Sequence, residues 1–299
     1  MAALVLTSGL LVVTRGHDVT PVAETSVPVP PASTTTESKP APTTSTSVKT
    51  PVPAPDLTGV AKDVAAAVTA ASRGTSVGFV LYDRETGQEL ASINEDKAYY
   101  TASVVKLLIA IDEVHQDDSG TWELPDADTV DDLSNMLSGS NDGLASAFWG
   151  QNGGVSIVTR TAKLIGLEHT TPPTDPGQWG MTKTSADDIV TVYQYLEDTI
   201  PDSVAQPLLT ALANARNPAD DGWNQYFGIP EGLPGTSWMI KQGWMILKSA
   251  LVLNTTGIVD SRFVVVLLTQ QPLISSAKGR AAVTAGIKVL DPVLGELTS

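Results

Sequence analysis

Strand-like segments occur towards both ends of this sequence, and a long helical stretch separates them. An apolar run, a turn at 83–87 and a second short strand pattern predict a β-hairpin over residues 75–96. Three more strand patterns lie at 236–245, 247–259 and 261–271, with turns expected at Gly243, at 254–257 and at Asp260. Strands this far apart in sequence must pair with one another to bury their apolar faces.

The remaining segments have helical spacing. Residues 57–72 predict a first helix that ends near Gly74, residues 120–235 predict several helices broken by Pro- and Gly-rich loops, and residues 275–289 predict a helix that closes the chain. The order predicts an α+β fold, with an antiparallel sheet flanked by the N- and C-terminal helices and an inserted all-helical lobe. We expect a functional site in the seam between sheet and lobe.

The N-terminal 56 residues differ in composition from the rest. Residues 1–18 begin with an apolar stretch that is too short to span a bilayer alone and lacks a basic start, so they predict a possible truncated signal anchor. Residues 19–56 contain nine of the 20 prolines, among Thr and Ser and without an aromatic residue, and predict a disordered linker. The folded domain is predicted over 57–299. An unimportant tail is the alternative interpretation of residues 1–56.

Composition excludes several function classes. The 299 residues contain no cysteine, which excludes disulfides, thiolate metal sites, a cysteine nucleophile and a lipidated cysteine within this sequence. Thirty-three acidic against 18 basic residues give a net charge of −15, which repels nucleic acid. His17, His115 and His169 do not cluster, so we predict neither a zinc site nor a Ser-His-Asp triad, and expect no metal and no cofactor.

The most informative short motif is Ser-Val-Val-Lys at residues 103–106, which opens an otherwise apolar helix. Residues three apart lie on one helix face, about 5–6 Å apart at Cβ. Burial would lower the pKa of Lys106, so that the neutral amine could accept the Ser103 proton. The ordinary structural alternative is a capping serine followed by a lysine that extends to solvent, and this motif alone does not exclude it.

Two further motifs follow in order. The segment at 136–149 contains Ser140-Asn141-Asp142 at the start of a helix, and the strand pattern at 236–245 contains Lys241-Gln242-Gly243. With S-x-x-K, they make residues 57–295 resemble the penicillin-recognising serine hydrolases, which include class A β-lactamases and DD-peptidases. The resemblance implies a β-lactamase/transpeptidase-like fold and a serine acyl-enzyme mechanism.

The resemblance also implies residue roles. Ser103 would be the nucleophile, Lys106 its base, and Ser140 a proton relay to the leaving nitrogen. Lys241 would attract a substrate carboxylate, and Gly243 would allow the substrate backbone to approach closely. The N–H groups of Ser103 and Trp244 would form the oxyanion hole.

This sequence departs from the family pattern at three positions. Asp142 stands where the family usually has asparagine, and its charge would raise the pKa of Lys106 and weaken it as a base. Alternatively, Asn141 and Asp142 exchange roles through a changed loop. Gln242 replaces a hydroxyl residue but could still donate to a substrate carboxylate, and Trp244 is either a cleft residue or an ordinary packed aromatic.

A fourth family feature is missing. Class A β-lactamases carry an E-x-x-L-N loop whose glutamate activates the deacylating water, and residues 167–188 have no such pattern. Glu168 and Asp175 are the local carboxylates before the next helix, and both are interpreted as loop residues. An acyl-enzyme would therefore hydrolyse slowly.

Three functional hypotheses follow. The leading one is an exported, tethered serine acyl-transfer hydrolase that acts on carboxylate-bearing amides, either peptidoglycan stem peptides or β-lactams. The second is a cell-envelope binding protein with the same fold and little or no catalysis. The third is a true β-lactamase. In each case we expect an extracytoplasmic monomer whose partner is a small molecule or a peptidoglycan-derived peptide.

Overall fold

The structure, a computed structural model that describes residues 57–116 and 121–298, is built on a five-stranded antiparallel sheet. The strands of this sheet are β1 (Ser76–Asp83), β2 (Gln88–Ile93), β7 (Trp238–Ile246), β8 (Ala250–Val259) and β9 (Phe263–Pro272). Four two-residue strands form two small pairs outside it: β3 (Tyr99–Tyr100) with β6 (Lys183–Thr184), and β4 (His115–Gln116) with β5 (Thr121–Trp122). The predicted anchor at 1–18 and the linker at 19–56 lie outside the described residues.

The helices other than the last lie in segments whose spacing predicts a helix. In chain order they are α1 (Val60–Ala71), α2 (Lys106–Val114), α3 (Ala127–Ser138), α4 (Asp142–Gln151), α5 (Val155–Ile165), α6 (Ala186–Asp198), α7 (Asp202–Ala213), α8 (Ile229–Gly232), α9 (Ser276–Lys288) and α10 (Leu290–Thr298). Two 3₁₀ turns, Ala102–Val105 and Trp179–Met181, accompany them. No helix in the described ranges is both long enough and apolar enough to cross a bilayer.

The sheet joins the two ends of the domain. Its order is β2-β1-β9-β8-β7, so β1 from the start of the domain pairs with β9 from near its end. The pairing runs in unbroken antiparallel register from Ser76 opposite Gln270 to Asp83 opposite Phe263. This confirms the predicted pairing of sequence-distant strands, and it leaves β7 as an edge strand.

Each face of the sheet buries a separate apolar layer. On one face, Phe79, Leu81 and Leu267 pack with residues of α1, α9 and α10. On the other, Val80 and Val266 pack with the helical lobe around α2. Successive strand residues point to opposite faces, and each fully buried Val, Leu or Phe contributes roughly 1.5–3 kcal/mol. Continuously apolar strands such as β9 are therefore stable in this position, and the predicted α+β arrangement is confirmed.

Two turn predictions were wrong. Gly243 and residues 254–257 lie inside β7 and β8, and the turns fall at 247–249 and, as expected, at Asp260. Asn254 is suited to a turn, but here its side chain is buried and donates to the backbone carbonyls of Tyr100 and Thr101, at 2.9 and 3.1 Å. The predicted final helix is also not the last, because α10 follows it and buries Leu290 and Leu294.

Candidate active site

The turn that carries Ser103 packs tightly against the edge strand β7. Ala102 has a left-handed φ of 46°, and the Thr101 N–H donates to the Thr182 carbonyl at 2.8 Å. A Cβ at Gly243 would lie 2.5 Å from the Thr101 carbonyl oxygen, far inside normal contact. Gly243 therefore allows the Ser103 turn to approach β7. Its predicted role in making room for a substrate backbone stays a prediction.

Ser103 and Lys106 form a buried hydrogen-bonded pair. Ser103 is 4% exposed and Lys106 is fully buried, and the Lys106 Nζ lies 2.8 Å from the Ser103 Oγ. The lysine therefore does not extend to solvent, and the ordinary alternative of a capping serine and a snorkelling lysine is not what the structure shows. The pair has the distance that proton transfer between a hydroxyl and an amine requires.

Ser140 and Lys241 extend this network from the two other motifs. Ser140 adopts a left-handed φ of 54° just before α4, and its carbonyl accepts a hydrogen bond from the Lys106 Nζ at 2.9 Å. Lys241 projects from β7, and its Nζ donates to the Ser140 Oγ at 2.9 Å. Three motifs that are far apart in sequence thus converge on one hydrogen-bonded network.

Asp142 contacts the same lysine from the cavity side. Its Oδ1 lies 2.6 Å from the Lys106 Nζ, and its side chain is 63% exposed while that of Lys106 is 0% exposed. The predicted proximity of this carboxylate to Lys106 is therefore present. Asp142 is the first residue of α4, where a negative charge is favourable.

Burial decides the net direction of both lysine pKa values. Desolvation lowers the pKa of Lys106 below its ordinary value, and Asp142 opposes this shift with smaller contributions from Asp221 and Asp220. Burial also places the pKa of Lys241 well below its ordinary value, with the nearby Lys106 charge as the next cause. Asp142 thus raises the pKa of Lys106, as expected, but desolvation is the larger effect and the net shift is downward.

Asn141 is engaged by the protein itself. Its Oδ1 accepts from the Leu144 N–H at 2.9 Å and so caps α4, and its Nδ2 donates to Asp220 at 2.8 Å. The structure therefore does not support an exchange of roles between Asn141 and Asp142. Asn141 positions the start of α4 and hence Asp142, and the predicted substrate contact is replaced by this capping role.

Gln242 is not available to a substrate. Its side chain is fully buried, and its Nε2 donates to the carbonyls of Phe227 and Gln225 at 2.7 and 3.1 Å. The predicted hydrogen bond to a substrate carboxylate is therefore wrong. The reason is that Gln242 is longer than the usual hydroxyl residue and reaches backbone acceptors on the segment before α8.

Trp244 borders the cleft, and Asp221 and Trp223 fix the position of its ring. Its Nε1 donates to Asp221 at 2.9 Å, and its ring stacks parallel to Trp223 with centroids 5.8 Å apart. With Ser103 it lines a cavity of about 260 Å³. The predicted oxyanion hole made by the N–H groups of these two residues stays a prediction.

The sequence reasoning missed the residues that form the outer wall of this cavity. These are Gly177, Gln178, Trp179 and Gly180 from the loop after α5, and Met245 from β7. The Trp179 ring lies 4.7 Å from the Lys106 Nζ, a cation–π distance. A Gln-Trp pair between two glycines in a loop is the sequence signal that could have indicated this wall.

Tyr99 and Tyr100, which precede the Ser103 turn, lie in different surroundings. Tyr99 is buried, with its hydroxyl 3.0 Å from the Ser76 Oγ. Tyr100 lines a second cavity of about 390 Å³, whose lining shares Gln178 with the first. The Lys183 Nζ lies 5.4 Å from the Tyr100 ring in this second cavity.

Comparison with known proteins assigns the chain to a family. A family model described as "Beta-lactamase enzyme family" matches residues 59–144. Proteins named "Putative lipoprotein LppW" from Mycobacterium tuberculosis and Mycobacterium bovis are 36% identical over 229 residues, covering 75% of this chain and 72% of each relative. The chain belongs to the penicillin-recognising serine hydrolase superfamily.

Solved structures agree with this assignment at the level of fold. A β-lactamase from Chitinophaga pinensis aligns with a TM-score of 0.67 and 15% identity, over 79% of this chain and 99% of its own. The TLA-1 extended-spectrum β-lactamase gives 0.65 and 14%, over 80% and 99%, and PBP-A gives 0.63 and 16%, over 79% and 96%. The predicted β-lactamase/transpeptidase-like fold is confirmed.

This member of the penicillin-recognising superfamily differs from the class A pattern in its deacylation loop. Residues 168–170 are held by the buried Asp188, which accepts from the N–H groups of Glu168 and His169 and from the Thr170 hydroxyl. Within the described part of the chain, Asp142 is the one carboxylate that lines the cavity beside Ser103. No loop carboxylate takes the place of the class A glutamate there.

Proposed function

We propose that this protein is a serine acyl-transfer hydrolase that acts on carboxylate-bearing amides, such as peptidoglycan stem peptides or β-lactams, through an acyl-enzyme on Ser103. The observation that carries the proposal is the 2.8 Å contact between the Ser103 Oγ and a fully buried lysine nitrogen. A buried amine with a lowered pKa can be neutral near pH 7 and so accept the serine proton.

The network supports a complete acylation step. Ser103 attacks the amide carbonyl as its proton passes to the Lys106 Nζ, which lies 3.3 Å from the Ser140 Oγ. Ser140, hydrogen-bonded to Lys241, delivers its hydroxyl proton to the leaving nitrogen as the C–N bond breaks, and takes the proton held by Lys106 in exchange. The products are an ester on Ser103 and a free amine, and Lys106 returns to its neutral form. General acid–base catalysis of this kind contributes typically 10²–10⁴-fold in rate.

Lys241 supports the choice of a carboxylate-bearing substrate. It is 1% exposed and lies one hydrogen bond from Ser140, so an anionic substrate group nearby would stabilise its charged form. The two cavities of about 260 and 390 Å³ give room for a reacting amide and for a further part of its acyl chain. The Gln242 amide is occupied by backbone acceptors. Within the Lys241-Gln242-Gly243 motif, the substrate carboxylate would therefore depend on Lys241 as its partner.

A binding protein with little catalysis is the second candidate, and one observation favours it. The Asp142 carboxylate attracts the proton of Lys106 across 2.6 Å, which opposes the neutral form that acylation needs. A true β-lactamase is disfavoured among the described residues, because the loop after α5 contributes no carboxylate to the Ser103 cavity.

We also propose an extracytoplasmic, membrane-tethered location. The mycobacterial relatives carry the word lipoprotein in their names, and the apolar start and Pro/Thr/Ser-rich segment of this chain suit an anchor and a stalk. The 299 residues contain no cysteine for lipidation, so the apolar N-terminal stretch is the candidate anchor.

Intact-protein mass spectrometry after incubation with a penicillin tests the function. The proposal expects a mass increase of one penicillin, located on Ser103 by peptide mapping and absent from Ser103→Ala. No adduct under any condition, combined with measurable reversible binding of a stem peptide, would favour the binding protein. Rapid turnover of a chromogenic cephalosporin would favour the true β-lactamase.

A further inference from the structure

Hydrolysis of an ester on Ser103 needs a base that activates a water molecule, and the loop that supplies it in class A β-lactamases contributes no carboxylate here. We propose that Asp142 is the catalytic base of deacylation. This inference rests on the proposed acyl-enzyme function and adds a second step to it. It gives Asp142, which stands where the family usually has asparagine, a direct part in catalysis.

The position of Asp142 suits a base that acts on water. Its side chain is 63% exposed and lines the cavity that also contains Ser103, so solvent reaches it. The Oδ1 of Asp142 and the Oγ of Ser103 both lie within 2.8 Å of the same Lys106 nitrogen. Two oxygens that share one hydrogen-bonding atom are close enough for a single water molecule to contact the carboxylate and the ester carbonyl together.

The other carboxylates near the cleft are committed elsewhere. Asp175 caps its own loop by accepting from the Gly177 N–H at 3.0 Å, and it lines the second cavity. Asp221 holds Trp244, and Asp220 accepts from Asn141 and Arg216. Ser140 is hydrogen-bonded to Lys241 and so is held for the leaving group. Asp142 remains as the carboxylate beside the nucleophile.

The contacts also supply a proton path. Water attacks the ester carbonyl as one of its protons passes to the Asp142 carboxylate, and a tetrahedral intermediate forms. Asp142 then returns that proton to the Lys106 Nζ over 2.6 Å, and Lys106 passes a proton to the Ser103 Oγ over 2.8 Å as the C–O bond breaks. Ser103 regains its hydroxyl, the product leaves as a carboxylic acid that ionises in solvent, and both catalytic groups return to their starting forms.

Trp179 protects this path. Its ring lies 4.7 Å from the Lys106 Nζ, on the side that faces the loop, and its Nε1 donates to the Ser146 Oγ at 3.2 Å, which ties the loop to α4. Bulk water is therefore limited around Lys106, whereas the Asp142 side chain is 63% exposed.

The test separates acylation from deacylation. Wild type, Asp142→Asn and Glu168→Gln are each loaded with a penicillin, freed of excess, and followed by intact mass for loss of the Ser103 adduct. Glu168→Gln removes an exposed loop carboxylate that is outside the cavity lining and serves as the matched charge control. We expect wild type and Glu168→Gln to lose the adduct within about twofold of each other, and Asp142→Asn to lose it at least about 100-fold more slowly.

Two further readouts distinguish a base from a structural residue. Hydroxylamine, a nucleophile that needs no carboxylate to deprotonate it, should release the adduct from Asp142→Asn and wild type at similar rates. Asp142→Ser, which keeps a small polar group at the start of α4, should behave like Asp142→Asn.

Different results would contradict the role of Asp142 and the proposed acyl-enzyme function. Adduct on Ser103 that is lost equally fast from wild type and Asp142→Asn would overturn the inference and leave the proposed function intact. A wild-type adduct as persistent as that of the variant, or loss of deacylation in Glu168→Gln, would also overturn it. Absence of a wild-type adduct together with absence of penicillin turnover would overturn the proposed function, and the inference with it.

Discussion

The carboxylate of Asp142 lies 2.6 Å from the amine of Lys106, and the two side chains differ completely in exposure. Lys106 is enclosed by protein, whereas most of the Asp142 side chain is open to the cavity. Desolvation lowers the pKa of Lys106 and Asp142 partly restores it. The reactivity of Ser103 thus depends on a balance between two opposing effects on one nitrogen atom, and that balance can be changed by single substitutions.

Asp142→Asn should accelerate acylation of Ser103. Removing the charge takes away the attraction that raises the pKa of Lys106, so burial lowers it further and more of the amine is neutral near pH 7. We expect acylation to be faster by roughly tenfold or more, equivalent to about 1.4 kcal/mol of barrier. The pseudo-first-order rate of penicillin adduct formation, measured from pH 6 to pH 10, checks this.

The pH profiles carry the sign of the effect. Wild-type acylation should rise with pH as Lys106 loses its proton, and the profile of Asp142→Asn should be shifted to lower pH, so that the two rates converge under alkaline conditions. If Asp142→Asn is slower at every pH, the carboxylate assists acylation itself, and the interpretation of Asp142 as an opposing charge is wrong.

Ser103→Ala should abolish covalent labelling with little change in stability. The Ser103 side chain donates no cap to its helix, and Lys106 keeps its contacts to Ser140 and Asp142 when the hydroxyl is removed. The free energy of unfolding should change by about 1 kcal/mol or less. Denaturant unfolding and mass spectrometry check both parts, and labelling that persists in Ser103→Ala would exclude Ser103 as the nucleophile.

Gly243→Ala should disrupt the nucleophile turn. The new Cβ would meet the Thr101 carbonyl oxygen at 2.5 Å, so either β7 or the turn must move. We expect a loss of about 1–3 kcal/mol in stability and an acylation rate at least about tenfold lower. Gly150→Ala is the matched control, because nothing lies within 4 Å of its new Cβ and it sits inside α4, where alanine stabilises by about 0.5–1 kcal/mol. Equal effects of the two substitutions would contradict the packing argument.

The fold was predictable because its periodic patterns are long. The first hairpin, the strand patterns after residue 236 and the helical middle region each bury a continuous apolar face, and the pairing of β1 with β9 follows from that. Asn254 and Gly257 misled the turn prediction because residue type does not reveal a tertiary partner. Asn254 is stabilised in a strand by the carbonyls of Tyr100 and Thr101, which only the folded chain supplies.

The residues of the three motifs could be predicted from the sequence, whereas the loop residues that line the Ser103 cavity could not. Ser103, Lys106, Ser140 and Lys241 meet because each occupies a start of a helix or a strand position that local sequence signals. The contacts of the Gln242 and Trp179 side chains depend on how loops fold over the cleft. The Gln242 side chain donates to backbone carbonyls of Gln225 and Phe227, and the Trp179 ring packs over the Lys106 Nζ. These partners are distant in sequence.

Deletion of residues 1–55 should leave a folded domain. Their Pro-, Thr- and Ser-rich composition offers little apolar surface to bury, and the described domain starts at Leu57, which packs against the layer around α1. Limited proteolysis should leave a stable core that begins near this residue, with unchanged penicillin labelling. Loss of a cooperative melting transition on deletion would show that the segment contributes to folding.

Asp83 and Arg262 predict how stability depends on pH. Asp83 is 1% exposed at the end of β1, and its oxygens accept from the Arg262 guanidinium at 2.8 and 3.0 Å. This pairing lowers the pKa of Asp83 in the folded protein. A carboxyl whose folded pKa lies below its unfolded value of about 3.9 contributes stability that is fully present above that value and is lost as pH falls through the folded pKa.

Asp83→Asn should therefore destabilise the domain at pH 7 by about 1.5–3 kcal/mol, the range for a hydrogen bond to a charged group. The difference from wild type should shrink below about pH 4, where the wild-type carboxyl begins to take up a proton. Urea unfolding at several pH values measures both quantities. Asp126→Asn is a useful contrast, because that carboxylate lies at the exposed surface and caps α3 by accepting from the N–H and hydroxyl groups of Thr129. A difference between wild type and Asp83→Asn that is constant down to pH 2 would mean that the lost contact is steric, because a charge-dependent contact must follow the protonation of Asp83.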